Sequence, residues 1–415
     1  MRLPFLIAAA CGLSLPTLAQ IARPPKPAIP VSAPTSPTIL AVAPPAAPGS
    51  GLRGLAADEP NKKNLTILPI PVIFYQDETG LGYGLGGLVS GRLGADTATR
   101  PSNARVQYWQ TEKKQSLIQL VHTVFTPGEA FYLNGEISLY DTRLFYYGKG
   151  NDTPDDNESL LGYKLFIINQ RVQKQVAPKV FAGLLYRFTN VYDFDFNRQA
   201  ENGTTNSFLT DPRVSIRERQ AHRTSGLGPA LTLDTRDNAS TTFRGNYVDG
   251  TVLFAGGGLG SDFKFTRYQL DARHFQPLGS AGRSVLAVQY VGQFHTGKVP
   301  FREQAGIGAN IGGTLYNNAN LLRGIYEQRY RDRQMMMVQA ELRQKLFWRL
   351  DGAVFGGVGQ VAEALDGFAF DGVKAAGGGG IRFNFIRRDR INLRLDYAVG
   401  TGGSSGIYFA IGEAF

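Results

Sequence analysis

The chain of 415 residues contains one cysteine, two tryptophans, four histidines and four methionines. It has no apolar run of the roughly 20 residues that a helix needs to cross a bilayer, so helical membrane topology is excluded. The single cysteine, Cys11, falls within residues 1–19, MRLPFLIAAACGLSLPTLA. A basic start, an apolar centre and a small-residue ending before Gln20 are the features of a secretory signal. A chain cleaved there has no thiol, no disulfide framework and no cysteine-based metal site. A lipid-attachment reading of AAAC at Cys11 stays open, although Ala8 fits it poorly. His122, His222, His274 and His295 show no metal-ligand spacing, and no cofactor is implied. The formal net charge is +10, yet Lys and Arg are scattered and form no basic run. That distribution excludes a nucleic-acid footprint and suits a polar lumen or anionic lipid headgroups, including lipopolysaccharide.

Fifty glycines, 18 tyrosines and 26 phenylalanines stand against these absences, and they are unevenly placed. Residues 20–62 are dense in Pro and Ala, which predicts an extended tether unable to join a sheet. From 63 to 415 short segments alternate apolar and polar residues between Gly, Asn, Asp and Pro. In INLRLDYAV, Ile391, Leu393, Leu395 and Tyr397 share one face while Asn392, Arg394 and Asp396 share the other. Val338, Ala340 and Leu342 alternate in the same way with Gln339, Glu341 and Arg343. So do Tyr268, Leu270 and Ala272 with Arg267, Gln269, Asp271 and Arg273, and Ile381 and Phe383 with Arg382 and Asn384.

A soluble sandwich accounts for any one such strand. Charged residues recurring on the second face of strand after strand, with aromatics near strand ends, instead predict an all-β transmembrane barrel. The spacing gives about sixteen antiparallel strands, an even number as bacterial barrels require. An exported chain of this kind belongs in the outer membrane. Ile407, Phe409, Ile411 and Phe415 share one period-two register at the end of the chain, and this terminal strand is expected to close the barrel against a first strand at about residues 68–75.

The interval from about Gly297 to Arg333 is far longer than an ordinary connection. It contains LLRGIYEQRY, residues 321–330, whose Leu321, Leu322, Ile325 and Tyr326 a disordered loop has little reason to carry. The loop is expected to fold into the lumen. Arg323 would then need a carboxylate, because a guanidinium cannot shed its proton. Asp396 and Glu341, on charged faces of late strands, are the candidate partners. A phosphate-binding reading of YYGKGNDT, residues 146–153, and a calcium reading of NDTPDDNE, residues 151–158, are both weaker than ordinary turn chemistry. No constellation of residues meets the geometry of an enzyme, so catalytic residues are not expected.

LLRGIYEQRYRD, followed by ELRQKL, AVFGGVGQV, GGGGIRFNF, INLRLDYAVG and a final IGEAF, resembles the carboxyl-terminal barrel of the BamA/TamA superfamily, or bacterial surface antigen family. Residues 68–84, YYGKGNDT, and DTRDN followed by FRGNYVDG are similar to earlier strands of that family. The resemblance covers almost everything from about residue 65. It implies sixteen strands and a sixth extracellular loop that tucks an Arg-Gly motif into the lumen, carried here by Arg323 and Gly324 with Leu322 and Ile325 beside them. It further implies help in inserting or translocating other proteins, with nascent outer-membrane proteins as partners, through a weak seam between first and last strands; Gly402, Gly403 and Gly406 would loosen the last one. The alternatives are a plugged or narrow pore, a structural surface barrel, or a lipid-modifying barrel enzyme. The sequence departs from the family twice. Gly357 stands where an aspartate is common, which leaves Asp396 or Glu341 to serve, and only the Pro-rich tether occupies the space where assembly members carry periplasmic POTRA domains.

Overall fold

The computed structural model describes residues 65–76, 80–94, 99–196, 206–239, 241–279, 283–308, 321–387 and 390–415. The predicted signal and the Pro-rich tether lie outside the described residues, as do positions 309–320 of the long loop.

Sixteen strands form one antiparallel sheet: β1 (Leu65–Gln76), β2 (Gly80–Gly91), β3 (Ser102–Thr111), β4 (Ser116–Phe125), β5 (Phe131–Tyr146), β6 (Ser159–Ala177), β7 (Val180–Asp195), β8 (His222–Asp234), β9 (Gly245–Ala255), β10 (Phe265–Leu278), β11 (Ser284–Gly297), β14 (Gln334–Phe347), β15 (Leu350–Ala362), β16 (Lys374–Ile386), β17 (Ile391–Gly400) and β18 (Ser405–Ile411). The short strands β12 (Ala305–Ile307) and β13 (Tyr330–Asp332) pair with each other inside the long loop. Each strand of the large sheet pairs with its neighbour in sequence, β11 with β14 being the step across that loop. The fold is the all-β transmembrane barrel that the alternation predicts.

Burial is inverted relative to a water-soluble protein. On β17 Leu395 is 44 % exposed while its neighbour Asp396 is 1 % exposed. On β14 Val338 and Leu342 are exposed, whereas Gln339, Glu341 and Arg343 are buried. A two-residue period puts successive side chains on opposite faces, so the oily set meets lipid and the charged set lines the lumen. Connections at one end of the barrel are as short as residues 178–179 and 348–349, and those at the other include 147–158, 196–221 and 298–333. Short turns mark the periplasmic end and long loops the extracellular one.

The terminal strand corrects one expectation. β18 stops at Ile411, because Gly412 adopts φ +83° and turns the chain off the strand. Ile407 and Phe409 are exposed on the lipid face, and Ile411 is half-buried. Phe415 leaves that register and is buried against Phe275 of β10 and Ala287 of β11. Its main-chain oxygen accepts a hydrogen bond from Arg343 Nη2 at 2.8 Å. No β1–β18 ladder is present among the described residues, so those two strands are the edges of the sheet.

The DTRDN segment makes the periplasmic turn 235–244 reach well beyond its own hairpin. Asp237 Oδ2 lies 2.6 Å from Arg390 Nη1 in the turn between β16 and β17. Thr241 Oγ1 donates to the Arg390 carbonyl at 2.6 Å, and the Thr242 carbonyl accepts from Arg343 at 3.3 Å. These contacts join the middle of the chain to its last strands at the periplasmic mouth. Arg390→Gln should therefore raise trypsin cleavage after Arg236 and Arg244 in the folded barrel. Cleavage at the wild-type rate would show that the turn is held by other contacts.

Candidate functional site: the lumen loop and its two anchors

The second leg of the long loop, residues 321–333, enters the lumen along β14–β17. Leu322 has φ +50° and Gly324 φ +108°, so the chain makes a sharp reversal around Arg323. Leu321, Leu322 and Ile325 are buried with Ile307, Tyr330, Met335, Met337 and Val361. That apolar packing holds the leg down and fixes where the guanidinium goes.

Arg323 is 2 % exposed. Its Nη2 lies 2.5 Å from Glu341 Oε2, its Nη1 pairs with Asp396, and its guanidinium carbon sits 3.4 Å from the centre of the Phe355 ring. Both acidic residues thus sit on the same guanidinium, one on β14 and one on β17. A fork-shaped cation suits two carboxylates at once, and the aromatic face takes the remaining surface. Three further arginines share these acids. Arg382 bonds Asp396, approaches Glu341 at 3.3 Å and meets Glu413 at 3.1 Å. Arg343 meets Glu341 at 2.8 Å, and Arg394 Nε lies 3.5 Å from Asp396 Oδ2. Four guanidiniums face three carboxylates, and 4 − 3 leaves one net positive charge enclosed by the wall.

The main chain of the motif is held as closely as its side chain. The Gly324 N–H donates to the Tyr408 hydroxyl of β18 at 2.9 Å, Ser404 Oγ donates to the Gly324 carbonyl at 2.7 Å, and the Leu322 N–H donates to Gln339 Oε1 at 3.2 Å. Glycines in the wall make this approach possible. A Cβ on Gly324 would lie 2.5 Å from the Val399 main chain, and one on Gly400 would lie 2.7 Å from Ile325. A Cβ on Gly357 would lie 2.8 Å from Leu322, and one on Gly380 would overlap the Arg382–Asp396 pair. Gly357 therefore occupies its position because Leu322 packs there; the acidic role falls to Glu341 and Asp396.

The first leg, residues 298–308, carries an anchor that the sequence reading missed. Glu303, 1 % exposed, pairs with β7 and β10 instead. Its carboxylate receives Arg187 Nε at 3.0 Å and Nη2 at 3.1 Å, Arg267 Nη1 at 3.2 Å, Thr189 Oγ1 at 2.9 Å and Thr224 Oγ1 at 3.1 Å. Burial alone would raise this carboxyl, but the Arg187 and Arg267 guanidiniums and the hydroxyls hold it down at about 2. The two legs thus use opposite charges: an acid from the first leg meets guanidiniums on β7 and β10, and a base from the second leg meets carboxylates on β14 and β17. A lone Glu in an aperiodic loop leaves no signal in sequence.

The extracellular loop that contains YYGKGNDT braces the second leg. Arg329 Nη2 donates to the Thr153 carbonyl at 2.7 Å and to Asp155 at 2.8 Å, and lies 3.9 Å above the Tyr147 ring. The Gly150 N–H donates to the Arg331 carbonyl at 2.7 Å. The Asn151 side-chain amide donates to the Val361 carbonyl at 2.6 Å.

A protein-family model described as an Omp85 superfamily domain matches residues 129–415. Solved structures share the fold at low identity. BamA from Haemophilus ducreyi lacking POTRA domains 1-3 superposes with a TM-score of 0.51 at 13% identity, covering 85% of this chain and 70% of that one. CdiB from Acinetobacter baumannii gives 0.51 at 12%, and CdiB from Escherichia coli 0.51 at 9%, covering 84% and 85% of this chain. The chain spans 60% and 63% of those two CdiB chains. No curated protein sequence matches the chain.

Two outcomes follow. Arg323→Ala removes the loop's bonds to Glu341 and Asp396, while Arg343, Arg382 and Arg394 stay on those carboxylates. It should expose the 321–333 leg to protease and lower the temperature at which the folded barrel is lost. Gly380→Val should do the same by evicting the Arg382–Asp396 pair, and loss of neither would contradict the lock. For Glu303, a folded value of about 2 lies below the ordinary value of about 4.3, so its stabilisation is complete above that ordinary value and is lost as pH falls toward 2. Stability against unfolding measured across that window should fall for the wild type and fall less steeply for Glu303→Gln. An identical acid profile would rule out the second anchor.

Proposed function

This chain belongs to the Omp85 superfamily, and from that premise we propose that it assists the insertion of other outer-membrane polypeptides at the seam between β1 and β18. The observation that carries this reading is the weakness of the two sheet edges. β18 has seven residues, fewer than any other strand of the large sheet, and begins after Gly402 and Gly403, both with positive φ. β1 contains Pro69 and Pro71 and is paired to β2 along its whole length. A proline is tolerated in a strand only where its nitrogen faces away from the ladder, so both point to the open edge and remove two donors from it. A seam short of hydrogen bonds is one that an incoming strand can enter by edge pairing.

Passage through the lumen is the less favoured route. Both described legs of the loop are tied to the wall by buried ion pairs. Those same anchors favour a second reading, a plugged barrel with a structural or narrow-pore role. Residence in the outer membrane, export by a cleaved signal, the outer-membrane lipids and nascent barrels named as partners, and the absence of catalysis all form part of the first reading.

Reconstitution separates the two. Purified protein in liposomes should accelerate the folding of an unrelated outer-membrane barrel. With Cys11 in the removed leader, cysteine pairs placed at Ile67 and at Ile407 or Phe409 can be oxidised to fasten the seam. Acceleration that stops on oxidation and returns on reduction supports insertion at the seam. No acceleration, or acceleration unaffected by the cross-link, contradicts it, and a steady single-channel conductance on the same sample would favour the pore.

A further inference from the structure

The periplasmic ends of β14 and β16 carry an exposed aromatic and cationic patch outside the lumen machinery. Trp348, at the two-residue turn between β14 and β15, is 71 % exposed. Leu346 and Phe385 are exposed beside it, and the Trp348 ring lies 5.9 Å from that of Phe383. A tryptophan this bare in a soluble domain would be costly. At the rim of a barrel, where the hydrocarbon layer meets headgroups, an amphipathic ring is at its preferred depth.

Three guanidiniums ring the patch, and main-chain carbonyls hold them in place. Arg349 Nη1 donates to the Phe385 carbonyl at 3.3 Å, Arg387 Nη2 to the Trp348 carbonyl at 3.2 Å, and Arg283 Nη2 to the Leu346 carbonyl at 3.4 Å. These bonds tie Arg283 and Arg387 to the turn 348–349 and its flanking strand ends. Among the described residues none of the three arginines forms a salt bridge, in contrast to the arginines of the lumen. In positions 283, 344–351 and 385–387, Arg283, Lys345, Arg349 and Arg387 stand against Asp351 alone; 4 − 1 gives a net charge of +3. Each guanidinium keeps donors free in a planar fork that fits a phosphate oxygen pair.

We propose that this patch is a binding site for the phosphate headgroup of an anionic phospholipid in the periplasmic leaflet, with Arg283, Arg349 and Arg387 on the phosphate and Trp348, Leu346 and Phe385 against the upper acyl chains. The charge selects an anionic lipid, and the adjoining oily wall selects a lipid over a soluble anion. Its position directly below the strands that hold Arg323 means that the bound lipid fixes the depth of that wall.

Trp348 is its own reporter, since the only other tryptophan, Trp109, is buried. Full-length protein in phosphatidylcholine liposomes would be given brominated phosphatidylglycerol or brominated phosphatidylcholine at equal bromine. Quenching should favour the anionic lipid, and the preference should fall roughly fivefold for each guanidinium removed in Arg349→Gln and Arg387→Gln. The heat-dependent gel shift of the folded barrel checks each variant, and Arg283→Gln, at the outer edge of the patch, supplies an independent one. Equal quenching by both lipids, a preference retained in the variants, or a preference abolished by inorganic phosphate would each overturn the proposal.

Discussion

A guanidinium cannot discard its charge, and a carboxylate among guanidiniums keeps its own; the architecture of this barrel follows from where such groups are enclosed. Arg323 and Glu303 belong to the same loop and pair with groups of opposite sign on different strands of the wall. Withdrawing the first leg would separate Glu303 from Arg187 and Arg267, and withdrawing the second would separate Arg323 from Glu341 and Asp396. The glycines of β15–β17 serve this arrangement, because side chains at Gly357, Gly380 or Gly400 would occupy the space of Leu322, the Arg382–Asp396 pair or Ile325. So does the short last strand, whose Tyr408 hydroxyl and preceding Ser404 hold the main chain of Gly324.

Alternation made the barrel legible in sequence. Ile391 to Tyr397 and Val338 to Arg343 each carry an oily face and a charged face, and a lipid-facing wall around a polar lumen needs little more to be specified. Arg323 was legible because a charge in an apolar loop demands a partner, and the charged faces of late strands offered Glu341 and Asp396. Glu303 was not, since a loop has no period and its partners lie on β7 and β10, more than thirty residues away in sequence. Phe415 fitted the register of Ile407, Phe409 and Ile411, and only the positive φ of Gly412 removes it from that face. The work of Gly357 was hidden as well. An absent side chain acquires meaning only once its neighbour, Leu322, is in place.

A loop tied to the wall on both of its described legs directs attention to the wall itself. The seam is bordered by a strand with two prolines and by the shortest strand of the sheet, while the rest of the sheet is paired without a break in order. The ion pairs of the lumen join β14, β16 and β17 beside the β18 edge. Under the proposed function an incoming strand would pair at that edge.

Hydrogen exchange of the loop in the membrane-embedded barrel tests the double anchorage most directly. The amides of Phe301, Leu322 and Gly324 donate to Glu218, Gln339 and Tyr408. Peptides covering both legs should exchange as slowly as neighbouring barrel strands. Exchange at the rate of an open extracellular loop in either leg would contradict a loop pinned to both walls of the lumen.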